Sequence, residues 1–305
     1  MLNRERAAVV KLIKKHGPLT GLEVKKELEA DSLIVWKACK TSKQLQVRTV
    51  GKRYLRLDRN VAGYARLSPS ILREFFTYSV VGLADDPAPL EKKSTELAGR
   101  IHEISRAKYE LARLMVSDVM AEYEEGASRI DPICFIIAGD IVYDMAHDVP
   151  RPERSTGKLV KGSDIDLVVV VADDLPEASI KRLDEIIYRK KYRMLIDPGV
   201  NEEVDYKIKR LERVRAQARF DDFAPMVAVK ILQEGWLLYG SEVIFNAVKA
   251  IIRERGLLEK LDELEKAAER FRKKAERAIL DESVDQDEIK KMHLFYSAEE
   301  FEEFE

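Results

Sequence analysis

Apolar positions recur first with a helical period and only later with a strand period. "RERAAVVKLIKKHG" puts its apolar residues on one stripe and stops at Gly17-Pro18, which predicts a first helix. "LTGLEVKKELEA" predicts a second short helix capped by Thr20, and "DSLIVWKACKTSK" a third with Asp31 or Ser32 as N-cap. "LQVRTVGKRYLRLD" alternates around Gly51, the pattern of two strands joined by a tight turn. Residues 68–83 predict a helix, with Ser68 as N-cap and Pro69 in its first turn. "ADDPAPLEKK" has the composition of a linker, and one long helical pattern then runs from Ser94 to Glu125. "PICFIIAG" (132–139) predicts a short strand, "DIVYDMAHD" a short helix and residues 149–162 a loop. "SDIDLVVVVADD" predicts the next strand, 177–193 a helix and "EEVDYKIK" (202–209) a third strand. From about Phe223 to Leu280 the pattern is helical, and no internal repeat is present.

Three short helices followed by a basic hairpin describe a winged helix-turn-helix. The expected class is α+β, mixed: a winged helix (1–66), a helical connector (67–130), a core with a mixed sheet and flanking helices (131–212), a C-terminal helical region (213–280) and an acidic tail (281–305).

Charge sharpens this division. The net charge of the 305 residues is −2, yet residues 1–66 hold 16 Lys and Arg against 6 Asp and Glu. A basic head on an acidic body points to a polyanion, and for this motif to double-stranded DNA. Lys37, Lys40 and Lys43 of the third helix are the expected groove contacts; Arg48, Lys52, Arg53 and Arg56 of the wing would lie on phosphates. The alternative is a winged helix used for protein contacts alone. Reading a palindrome needs a homodimer, for which the helix 94–125 is the candidate element. No apolar run approaches the roughly 18 residues of a membrane helix, and the first segment is too charged for a signal peptide. Cys39 and Cys134 form neither a disulfide framework nor a zinc pattern, so the expectation is a reduced, cytoplasmic protein without a membrane partner.

The chemistry concentrates in "KGSDIDLVVVV" (161–171). Asp164 and Asp166 are two apart at a strand start, so both side chains share a face. Two carboxylates on one face repel unless a cation or proton offsets them. Hard oxygen donors suit Mg²⁺, or Mn²⁺, and a third carboxylate would allow a second metal about 4 Å away. Asp205, in "EVDYK", is the candidate. The blander alternative makes Asp164 a turn residue and Asp166 a strand-end surface charge.

With "FIIAG", "GSDIDLVVV", "EVDYK" and "ILQEGWLLYGS", the chain resembles the polymerase-β-like nucleotidyltransferase superfamily, especially its minimal type, over about residues 110–250. The resemblance implies a nucleoside triphosphate substrate. It also implies Asp164, Asp166 and Asp205 as catalytic metal ligands, the last also a base toward the acceptor hydroxyl. It implies that Gly139, Asp140, Gly162 and Ser163 surround the nucleotide. The family's Gly-Ser is here Gly139-Asp140, and Asp164 comes 25 residues after Gly139, a longer spacing than usual. The extra loop carries Arg151, Arg154, Lys158 and Lys161; Arg154 and Lys158 are the candidates to replace the serine's phosphate contacts, the alternative being a surface loop.

Three functions are compatible with these features. One is a Mg²⁺-dependent nucleotidyltransferase that moves a nucleoside monophosphate from an NTP to a hydroxyl. Another is a DNA-binding regulator whose nucleotidyltransferase domain senses nucleotides or is inactive. The third is a toxin–antitoxin component modifying a protein or RNA. Other features carry less: "STGK" (155–158) lacks a full phosphate-loop pattern, Trp236 and Tyr239 suggest core, Lys230 a solvated lysine and His147 a surface helix residue. The tail 281–305, with ten acidic residues, reads as solvating sequence or as a mask for the basic head.

Overall fold

The first helix, α1 (Leu2–His16), turns Val9, Val10 and Ile13 inward and ends where Gly17 takes a φ of +78°. A computed structural model describes residues 2–124, 132–153, 156–281, 289 and 293–296. The chain divides into two units, Met1–Ile101 with Glu263–Glu305, and His102–Asp262.

In the first unit, β1 (Leu19–Thr20) leads into α2 (Gly21–Glu27), closed by a capping box in which Glu23 N donates to Thr20 Oγ1 and Thr20 N to Glu23 Oε2. Asp31 caps α3 (Ser32–Thr41) through Leu33 N. The expected hairpin around Gly51 does not form. β2 (Leu45–Thr49) and β3 (Tyr54–Leu57) enter different sheets: β3 pairs with β4 (Ala65–Ser68), and β2 pairs with a strand further on. The expected helix 68–83 is shorter, α4 (Ile71–Tyr78), capped by Ser70 rather than Ser68. It gives way to β5 (Ser79–Leu83), the centre of an antiparallel sheet ordered β1-β5-β2. The β-branched pair Val80-Val81 favours that strand, and both side chains are fully buried.

The expected linker is helical. α5 (Pro87–Glu124) begins with Pro87 and Pro89 in its first turn, where a missing N–H leaves no hydrogen bond unmade. Then β6 (Ile133–Ala138) runs into a short 3₁₀ turn (Gly139–Tyr143). The expected loop 149–162 contains a hairpin of β7 (Pro150–Pro152) and β8 (Leu159–Lys161). β9 (Ile165–Val171), α6 (Glu177–Ile196), β10 (Val204–Arg210), α7 (Leu211–Gln217) and α8 (Phe223–Glu234) follow. "WLLYG", expected as helix, is β11 (Trp236–Gly240). Gly235 follows α8, where a Cβ would lie 2.4 Å from Ile136 Cγ2, and Lys249 Nζ donates to the end carbonyls of Leu232, Gln233 and Gly235. Trp236 is correspondingly exposed, not core. α9 (Glu242–Glu254) and α10 (Leu257–Leu280) complete the elements.

The four-stranded sheet of the second unit is mixed, in the order β10-β9-β6-β11, with β9 and β10 parallel and the other pairs antiparallel. β6 is buried throughout, as a run of apolar residues without alternation requires. Val116, Val119 and Met120 of α5 and Leu183, Ile186 and Ile187 of α6 share its core. The architecture is α+β. Cys39 and Cys134 are free and buried, which pushes each thiol up to about 12.

The described part of the tail is packed. Phe271, Ala275, Ala278 and Ile279 of α10, with Ile289 and Leu294–Tyr296, belong to the core of α1, α3 and α4. Phe295 meets Trp36 edge-on at 5.8 Å, its carbonyl accepts from Leu72 N, and Arg66 donates to His293 O. Among the described residues no helix is long and apolar enough to cross a membrane.

Candidate metal centre

β9 lies between β6 and β10, and its register brings the expected acids together. Asp166 stands opposite Asp205 on the parallel side and opposite Ala138 on the antiparallel side. Asp164 immediately precedes the strand. One carboxylate oxygen from each of Asp164, Asp166 and Asp205 lies within 4.8 Å of the others. Asp205 is the outermost, its side chain 63% exposed.

Gly139 is shaped by this cluster. It has a φ of +72°, and a Cβ there would lie 2.1 Å from Asp166 Oδ2. Only glycine both takes that backbone conformation at low cost and leaves the carboxylate its place. Burial, and then the charges of Asp164, Asp140, Asp205 and Glu234, push Asp166 well above the ordinary carboxylate range. In the absence of a cation the centre therefore favours a proton.

The cations around the centre are few. Arg151, at the base of the β7–β8 hairpin, lies 2.9 Å from Glu203 and 3.8 Å from Asp164, and its Nε donates to Gly162 O. Lys191 of α6 is 3.3 Å from Asp205 Oδ1. Burial also raises Glu203, with Arg151 opposing and Asp164 and Asp205 adding to the shift. Behind it, Lys108 pairs with the buried Glu202 and donates to Lys161 O at 2.7 Å.

The expected nucleotide residues are near the carboxylates but engaged. Ser163 is buried; its Oγ donates to Asp140 Oδ2 at 2.6 Å and accepts from His147 N at 3.2 Å. Asp140 is thus turned to Ser163. Gly162 has a φ of +59°, and a Cβ there would meet His147 O at 2.0 Å. Gly139 N donates to Glu234 Oε1 at 3.4 Å. Lys158 is exposed on the hairpin, and Arg154 lies outside the described residues. Two expectations are corrected here. His147 is buried rather than a surface residue, and Lys230 is buried beside Glu234 and over the Tyr143 ring rather than solvated.

Glu203, Glu234, Arg151 and Lys191 shape the centre without having been singled out as site residues. Glu203 had a signal: it is two before Asp205 in a strand, hence on the same face. Lys191 had none, because its approach depends on how α6 packs on β10.

In the first unit the expected DNA contacts differ in burial and pairing. Lys37 is buried, as are seven of the ten residues of α3. Arg48 is bound to Glu91, and Arg53 reaches Glu74 with two bonds of 2.5 and 2.8 Å and Glu276 with one of 3.1 Å. Lys40, Lys43 and Lys52 are exposed and Arg56 is half-buried. Comparison with protein-family models, curated proteins and solved structures returned no match.

Proposed function

We propose that the second unit is a nucleotidyltransferase that uses Mg²⁺, or Mn²⁺, to move a nucleoside monophosphate from an NTP to a hydroxyl acceptor. The observation that carries this reading is the register of Asp166 with Asp205 beside Asp164, three oxygens within 4.8 Å in a place that Gly139 keeps clear. The donor set is all carboxylate oxygen, which fits a hard divalent cation and disfavours softer ones. Asp164, Asp166 and Asp205 are the residues that would hold it; when bound it supplies charge neutralisation for a triphosphate. Asp205, the exposed member with Lys191 at its Oδ1, would take the acceptor hydroxyl's proton on a carboxylate oxygen. Arg151 braces Asp164 and Glu203 at the strand starts, holding the acids in position. Lys158, exposed on the hairpin, is one described cation available to phosphates from that arm.

Two observations favour a second reading, in which the unit binds nucleotide without turning it over. Asp140 occupies the place of a phosphate-binding serine, and Glu234 holds Gly139 N.

Isothermal titration of each NTP with Mg²⁺, into the wild type and into Asp164→Asn/Asp166→Asn, tests the site. Binding that requires metal and both aspartates is expected. Pyrophosphate release on adding acceptors then separates transfer from sensing. Absence of metal-dependent binding for all four NTPs would overturn both readings.

A further inference from the structure

We propose that the first unit binds a nucleic-acid phosphodiester backbone through the outer stripe of α10, Arg270, Lys273, Lys274 and Arg277, rather than through α3. The four positions follow the i, i+3, i+4, i+7 spacing that puts side chains on one helical face. The opposite face carries Phe271, Ala275 and Ile279 into the core shared with α1, α3 and α4, and Ala278 lies between the two faces. α10 is thus anchored by its apolar side and presents its basic side to water.

The charges on α10 divide in the same way. Arg272 points inward: it is buried, 3.0 Å from Glu74, and donates to Pro69 O. The four outer cations are exposed, and among the described residues none of them is in an ion pair. Together with Ala278 and Asp281 they line a concavity of about 440 Å³. Asp281 and the exposed Glu269 mark the margins of the stripe, and its centre is uniformly positive.

Three of the seven side chains expected to meet DNA are committed elsewhere. Lys37 is buried, Arg48 is held by Glu91, and Arg53 is held by Glu74 and Glu276. A cation already neutralised by a neighbouring carboxylate releases few counterions from a phosphate, whereas an unpaired one contributes fully. At 1.5 Å rise per residue the stripe spans roughly 10 Å, a length over which a nucleic-acid backbone offers several phosphates. The inference is independent of the carboxylate centre.

The test is fluorescence anisotropy of the full chain with labelled duplex DNA and with single-stranded RNA of the same length, between about 50 and 200 mM salt. Arg270→Gln/Lys273→Gln/Lys274→Gln/Arg277→Gln is expected to weaken binding at least tenfold and to flatten the log–log salt dependence by about 3–4 for duplex DNA, less for a single strand. Lys40→Gln/Lys43→Gln is expected to change affinity less than about twofold. Preference for one nucleic acid over the other identifies the source of the phosphates. Should the quadruple variant melt early, Lys273→Gln/Lys274→Gln serves in its place, with a slope change of about 2. The proposal is overturned if the wild type binds neither nucleic acid, if the stripe variant keeps the wild-type salt slope, or if the loss follows Lys40 and Lys43.

Discussion

Glu74 in the first unit and Asp166 in the second are both acids withdrawn from water, and their surroundings treat them in opposite ways. Burial alone would raise Glu74. The Arg53 hydrogen bond and the charges of Arg272 and Arg53 outweigh it and hold Glu74 below the ordinary carboxylate value. Asp166 has burial and four carboxylates acting in the same direction, upward. A compensated buried charge is a structural joint. An uncompensated one costs stability in the folded protein, and a centre of this kind becomes favourable only when a cation or proton arrives.

The comparison can be broken most severely at Glu74. Glu74→Gln leaves the buried Arg272 with Glu276 alone as counter-charge and is expected to cost about 3 kcal/mol, measured by denaturant unfolding. A loss below about 1 kcal/mol would show that the joint is not structural.

Gly139→Ala is next. The backbone conformation alone is expected to cost about 1–3 kcal/mol. The new Cβ must also displace Asp166 Oδ2, so Mn²⁺ affinity, followed by titration calorimetry, should fall at least tenfold. A variant with native metal affinity would mean that Asp166 is not held where Gly139 leaves space.

The smallest effect has the opposite sign. Asp166→Asn removes like-charge repulsion and should stabilise the metal-free protein at neutral pH by on the order of 1 kcal/mol, while Mg²⁺ ceases to raise its Tm. The pH dependences should also run in opposite directions. Asp166 has a raised folded pKa, so its contribution is fully present below the usual aspartate value of 3.8 and is lost as pH rises through the raised one. Glu74 has a lowered folded pKa, so its contribution is present above the usual glutamate value of 4.5 and is lost as pH falls through the lowered one. Tm against pH should therefore show Asp166→Asn converging with the wild type in acid and diverging toward neutrality. Glu74→Gln should do the same for its own loss of stability. Parallel curves would remove the titration from the explanation.

Much of the sheet was legible because its strands are runs that few other structures accommodate. "ICFIIA", "IDLVVVV" and "VDYKIKR" were expected within a few residues of β6, β9 and β10. Thr20, Asp31 and the stop at Gly17 were legible for the same local reason, since a cap or a positive φ is decided within a few residues. The errors lie where a segment's state depends on a distant partner. "WLLYG" continues a helical apolar pattern and becomes a strand because β6 offers it an edge. β2 and β3 have hairpin chemistry between them, yet β5 and β4 are their partners.

The candidate centre divides along the same line. The sequence by itself determined that Asp164 and Asp166 share the mouth of a strand, that Asp205 begins another, and that the head of the chain is basic. Tertiary structure alone decided that Asp166 and Asp205 stand in register and that Gly139 makes way for them. It also decided that Lys37 is buried and Arg53 neutralised, while the unpaired cations of that unit include a stripe on α10. The physical reason is one of range. Periodicity and caps are properties of neighbours along the chain, whereas charge compensation is set by whichever groups packing brings within a few ångströms.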